Sequence, residues 1–181
     1  MSDSQFQMHE DWCGNSADFR MKEACLFFNE HLDSCGRISV DSFRAVAMAD
    51  AALFALVSIK DFVSEETRLK LESSPLFAFL KCLRNLTAHA YVVPNRTATL
   101  MLRISEGSQL TSEQLLLPML TTNLDHEFMQ MTAEKPSTRR SVDMARSYLA
   151  ACIADKQFVM LDEVIRSGIE WIEKTVAEAT R

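Results

Sequence analysis

The chain has 181 residues, enough for one domain with a full hydrophobic core and short for two. With 48% hydrophobic and 24% charged residues it has an ordinary globular composition, and only four Gly and four Pro argue against an all-β fold built on tight turns. A net charge of −6 counts against a protein that holds nucleic acid by bulk electrostatics.

No apolar run approaches the roughly 20 residues needed to span a bilayer, and the opening MSDSQFQMHEDW lacks the pattern of a signal peptide. A soluble, cytoplasmic protein without a membrane partner is therefore expected. The cysteines, Cys13, Cys25, Cys35, Cys82 and Cys152, are odd in number, irregularly spaced and contain no C-x-x-C. Buried reduced thiols are expected rather than a disulfide framework or a zinc site.

Residues 1–15 are polar and aperiodic and read as a mobile tail ahead of a single domain over 16–181. From Ser16 the pattern is helical, with Phe19, Met21, Ala24, Cys25, Phe27, Phe28 and Leu32 recurring at three- and four-residue spacing up to Gly36. His31, between Glu30 and Asp33, reads as a charged surface residue. Val40-Asp41-Ser42 opens a second helix, predicted to run to about Leu71 with Asp41 as its cap. Phe43, Val46, Ala47, Leu53, Phe54 and Val57 make its apolar face, and Asp50 falls on that face. A carboxylate there is costly unless it is paired or hydrogen-bonded. Either it sits at the rim of the stripe, satisfied by water or backbone, or it orients Arg84 or Lys81 across a helix pair.

The central stretch is Phe77–Val93, FAFLKCLRNLTAHAYVV, preceded by Pro75 at a first helical position and stopped by Pro94. Phe79, Cys82, Leu83, Leu86, Ala90 and Val93 gather on one side, while Phe77, Leu80, Arg84, Ala88 and Tyr91 form a second stripe opposite. A helix apolar nearly all round is buried on both sides. The second stripe is expected to meet an identical subunit.

Arg84-Asn85-Leu86-Thr87-Ala88-His89, followed by Ala90-Tyr91, resembles the R-x4-H-x-Y signature of HEPN-domain proteins, small helical bundles of which many are metal-independent ribonucleases acting as toxins. The resemblance covers Arg84, the polar Asn85, His89 and Tyr91. It implies an all-α, HEPN-like bundle of four to five helices. It also implies an RNA substrate, a homodimer with Arg84, Asn85 and His89 as catalytic residues in the interface cleft, and an antitoxin partner. Tyr91, by the same resemblance, is a substrate-binding or regulatory position, because in some relatives the matching tyrosine is modified by a nucleotidyltransferase antitoxin. Asp50 would play a supporting part. Members without nuclease activity serve as dimeric binding or regulatory modules, so that reading stands as the alternative.

Residues 94–137 have no counterpart in the compact family core and read as a less regular insertion. Thr97–Ile104 alternates like a short strand, Glu106-Gly107-Ser108 reads as a turn, and Thr111-Ser112-Glu113-Gln114 resembles a capping box before Leu115-Leu116-Leu117. Asp125-His126-Glu127 has metal-ligand residue types, but adjacent residues point apart, and neither a metal nor a cofactor is expected. Arg139-Arg140, with Arg146, is the densest basic patch and reads as a solvated loop. The pattern from Ser141 to Val176 is helical with a phase slip near Asp155–Gln157, giving two helices or one long helix that changes its buried face. Gly168 inside it points to a close helix–helix approach.

The chemistry these residue types suit is RNA cleavage without metal. The ribose 2′-hydroxyl attacks the adjacent phosphorus and the 5′-oxygen leaves, giving a 2′,3′-cyclic phosphate and a 5′-hydroxyl. A histidine with a reference pKa of about 6.5 can take or give the protons. An arginine carries a fixed charge on a planar fork suited to phosphate oxygens. Asn85, one turn before His89, can orient the ring or hold the phosphate.

Overall fold

The computed structural model describes residues 16–35, 42–89, 96–106, 109–121, 123–154 and 158–179. Within them the elements run α1 (Ser16–Cys35), α2 (Ser42–Ser58), a 3-10 turn (Ile59–Asp61), α3 (Glu65–Glu72), α4 (Pro75–His89), β1 (Arg96–Glu106), β2 (Gln109–Thr121), α5 (Asn123–Glu134), a 3-10 turn (Pro136–Thr138), α6 (Arg139–Ile153), β3 (Phe158–Met160) and α7 (Leu161–Ala179). The fold is a helical bundle with a strand insertion, and α1, α2, α4, α6 and α7 are its long members. The tail expected over residues 1–15, the cap at Asp41, the turn at 107–108 and the phase slip at 155–157 lie outside the described residues.

α7 holds the bundle together. Leu161, Val164, Ile165, Gly168, Ile172 and Thr175 are buried along it at three- and four-residue spacing, and it packs on α1, α2, α3 and α4. A Cβ added to Gly168 would stand 2.7 Å from Leu80 Cδ1, so the glycine is where α7 meets α4. Gly168→Ala should gain about 1 kcal/mol of helix propensity and lose about 1–3 kcal/mol by overpacking against the fully buried Leu80. The expected balance is a small net loss in a denaturant titration, and a clear gain in stability would show that Leu80 can move aside.

The buried face of α2 differs from the one its large residues suggest. Phe43 is 83% exposed and Phe54 43%, whereas Ala45, Ala49, Ala52, Leu53 and Leu56 are buried. Alanines let α1 pack closely on α2, and a reading that follows the largest apolar residues misplaces the face. His31 is also not at the surface. It is 1% exposed, stacks on Phe28 at 6.2 Å and bonds through Nδ1 to the Ala45 carbonyl at 2.7 Å. Desolvation holds its pKa below the usual histidine value. The acidic neighbours Glu30 and Asp33 lie on other faces of the same turn.

The helix expected from Ser42 to about Leu71 is two helices. It stops at Ser58, and a new one starts where Ser64 accepts a hydrogen bond from the Thr67 N–H, with Glu65 and Glu66 in its first turn. A serine cap followed by acidic residues is a start signal, and here it divides the helical pattern.

The insertion is more regular than expected. β1 and β2 pair antiparallel from Arg96 opposite Met119 to Glu106 opposite Gln109, and β3 adds Met119–Met160, Leu120–Val159 and Thr121–Phe158. Thr111–Gln114, which looks like a helix cap, lies in β2. Continuous pairing with β1 outweighs a four-residue cap motif. Pro118 sits just before the part of β2 that β3 covers, where a missing N–H is tolerated.

Candidate functional site

α4 carries the motif. Ser74 Oγ accepts from the Phe77 N–H at 3.5 Å and Pro75 is the first helical residue, so the helix begins as the sequence predicts. Phe77 is 1% exposed and Leu80 fully buried, both in the chain's own core, together with Phe79, Leu83 and Leu86. The helix is buried on both sides, but one chain supplies both partners. The first half of the stripe Phe77–Leu80–Arg84–Ala88–Tyr91 is thus not an open dimer face: Phe77 and Leu80 are buried in the chain's own core, Leu80 beside Gly168 of α7, whereas Ala88 is exposed and Tyr91 lies outside the described residues.

Arg84 is half-buried, and its guanidinium carbon lies 5.5 Å from the centroid of the Phe54 ring of α2. This explains how a phenylalanine comes to sit partly exposed there: its face carries a cation. Arg84 Nε is buried without an acceptor, and among the described residues Arg84 is in no ion pair. Asp50, one turn before Phe54 on α2, does not bridge to Arg84 or Lys81. Its Oδ1 is also buried without a partner, and burial pushes its pKa up to about 7 from 3.8.

The raised pKa of Asp50 makes stability depend on pH. Between about 4 and 7 the folded chain keeps a proton that the unfolded chain has released, so stability falls as pH rises through that window. Above it both states are ionised and the loss is constant. Asp50→Asn is expected to stabilise the protein at pH 8 and to change little at pH 4. Equal effects at both pH values, read from thermal melts, would contradict this.

Asn85, next to Arg84, lines a cleft of about 330 Å³ between α4 and the segment joining α5 to α6. Lys81, Arg84, Lys135, Ser137, Thr138 and Ser141 also line it, and among the described residues no carboxylate does. His89 is the last residue of α4, one turn beyond Asn85; its side chain lies outside what the structure describes. The backbone therefore puts Arg84, Asn85 and His89 on adjoining faces of the last turns of one helix.

The lysines and hydroxyls of the cleft are not evident in the sequence. Lys135 is some fifty residues from Lys81, and only the neighbouring Arg139-Arg140 pair hinted at them. Of that basic patch, Arg146 is spent elsewhere, bonded to Asp125 at 2.5 and 3.0 Å. Those bonds hold the Asp125 carboxyl below its usual pKa. His126 contacts Gln130 at 3.0 Å, so Asp125-His126-Glu127 does not converge on a point, and no group of three ligating side chains occurs among the described residues. Cys25, Cys35, Cys82 and Cys152 are unbridged, and burial pushes the Cys82 thiol up to about 12. No family model, curated protein or solved structure matches the chain.

Proposed function

We propose that the protein is a metal-independent endoribonuclease of the HEPN type that acts in the cytoplasm as a toxin restrained by an antitoxin protein. The observation that supports this reading is an arginine that, among the described residues, has no carboxylate and shares its cleft with cationic and neutral side chains, on a helix that continues to His89. Such an arginine is available to a phosphate, and an aromatic ring beneath it limits its wandering.

In this reading His89 takes the 2′-hydroxyl proton as the oxygen bonds to phosphorus, Arg84 neutralises the phosphorane charge, and Asn85 positions the phosphate or the ring. A second acid must protonate the departing 5′-oxygen. His89 of a second copy provides it in a homodimer, and Tyr91 lies two residues on, where its modification would block the cleft.

The other reading, a helical binding module without nuclease activity, is favoured by the burial of Phe77 and Leu80 within the chain, which removes the apolar face on which two motifs were to meet. One experiment separates the two. The purified protein is incubated with mixed RNA, with and without EDTA, beside His89→Ala. Cleavage insensitive to EDTA, with 2′,3′-cyclic phosphate ends and lost in the variant, is the expected result. Cleavage surviving in His89→Ala would remove this histidine from the mechanism, and no cleavage of any RNA by a dimeric protein would favour the binding module.

A further inference from the structure

Of the fourteen lysines and arginines whose side chains are described, seven are matched by carboxylates. Arg20 and Glu23, Lys22 and Asp18, Arg68 and Glu65, Lys70 and Glu178 are paired at 2.5–3.3 Å, and Arg44 is paired with Glu30. An acidic chain has carboxylates to spare for this, and a matched cation offers little to an incoming anion. The α4–α6 cleft departs from that pattern. Lys81 and Arg84 from α4 and Lys135 from the end of α5 face one space, and none of them is in an ion pair among the described residues. The other described cations in no ion pair are Arg139 and Arg140 at the start of α6 and Arg166 and Lys174 on α7, and Arg166 lies over Phe28 at 5.6 Å.

Three like charges held near one another repel, and a fold with 25 acidic residues had the means to neutralise them. The cleft instead adds neutral groups that bond to anions. Asn85 and Ser141 line it, and Ser141 stands in the first turn of α6. A second cleft of about 320 Å³ adjoins, sharing Lys81 and Ser141 and adding Arg140. Glu72, the one carboxylate among the described residues that line it, is engaged by Lys60 at 3.6 Å. The cationic track therefore runs from Arg140 past Lys81 to Arg84, along α4 in the direction of His89.

We propose that this track binds the phosphodiester backbone of single-stranded RNA, with Lys81 and Lys135 holding a phosphate that neighbours the one to be cleaved. The spacing requires a neighbour: Lys81 precedes His89 by eight residues, roughly 12 Å along the helix axis. The scissile phosphate belongs to the Arg84–His89 end, and the lysine end can only be a flanking subsite. The proposal deepens the ribonuclease reading and rests on it. It also shows how a protein of charge −6 can engage RNA at all. Attraction is confined to one strip, so few phosphates are neutralised and binding depends on salt only modestly.

The test uses a fluorescent 2′-O-methyl oligoribonucleotide, which has no 2′-hydroxyl to attack and so reports binding whether or not the protein cleaves. Anisotropy titrations over a range of salt compare the unaltered protein with the double variant Lys81→Ala/Lys135→Ala and with Lys22→Ala, which removes a charge from α1. Both cleft lysines are at least partly exposed, so the double variant should fold. It should bind at least about tenfold more weakly, with a salt slope lower by about 1.4, while Lys22→Ala stays near the unaltered protein. Equal binding by the double variant overturns the proposal, as does an equal loss in Lys22→Ala, which would make the effect one of net charge. Binding of a poly-glutamate peptide in preference to RNA would also overturn it and assign the track to an acidic protein partner. Tight, lysine-dependent binding without cleavage of ordinary RNA supports the track while failing the ribonuclease reading.

Discussion

Arg84→Ala should lower kcat for RNA cleavage about 10²–10³-fold, roughly 3–4 kcal/mol of transition-state stabilisation, and change KM far less. The asymmetry follows from when the charge appears. The scissile phosphodiester already bears one negative charge in the ground state, and substrate affinity would rest largely on the flanking phosphate that Lys81 and Lys135 hold. The second negative charge builds only as the 2′-oxygen bonds to phosphorus, and a guanidinium fixed beside the scissile phosphate acts on the increment. In the proposed reaction Arg84 would suit this part, because it is half-buried, lies over Phe54 at 5.5 Å and is in no ion pair among the described residues that cleavage would have to break. Arg84→Lys keeps the charge but loses the planar fork and its fit on the ring, so it should recover only part of the rate. Steady-state kinetics on a labelled RNA would decide the matter. A rise in KM at unchanged kcat would make Arg84 a ground-state binding residue. The substitution removes a buried Nε that has no acceptor, so the fold should tolerate it.

The sequence shows α4, its start at Pro75 and the succession Arg84, Asn85, His89, because helix propensity, a proline and a short motif are all local signals. The close approach at Gly168 was legible for the same reason: a glycine inside an otherwise apolar helical pattern has few other uses. What failed depended on contacts between distant parts of the chain. Phe43 and Phe54 look like core residues until α1 is seen to pack on the alanines of α2. The Phe77–Leu80 half of the second stripe of α4 looks like a dimer face until it is seen buried in the chain's own core, since periodicity reveals that a face is buried but not by what. His31 shows the converse error: charged neighbours at adjacent positions say nothing about a face 100° away on the helix. The cleft is the extreme case. Lys81 and Lys135 are ordinary lysines in the sequence, and only the return of the chain through β1, β2 and α5 brings them together.

One side chain of α4 touches both helices that bound that return. Phe79 is fully buried, packs edge-on to Phe128 of α5 with ring centroids 5.7 Å apart, and lies tilted against Tyr148 of α6 at 5.1 Å. It ties α4 to the two helices that carry the opposite wall of the cleft. Phe79→Ala should cost about 3–5 kcal/mol, the sum of lost burial and a cavity that three helices cannot close together. In a domain of this size that lowers Tm by roughly 6–20 °C. Thermal or urea unfolding would measure it, and a loss below about 1 kcal/mol would mean the helices collapse onto the space. Lys81 follows Phe79 by two residues, and the Lys135–Ser141 wall hangs from α5 and α6. If the rings set the width of the cleft, the variant should also bind the 2′-O-methyl RNA more weakly at temperatures well below its Tm, where the bundle is still folded. Unchanged affinity there would show that the wall is positioned by the 3-10 turn Pro136–Thr138 instead, independently of the aromatic cluster.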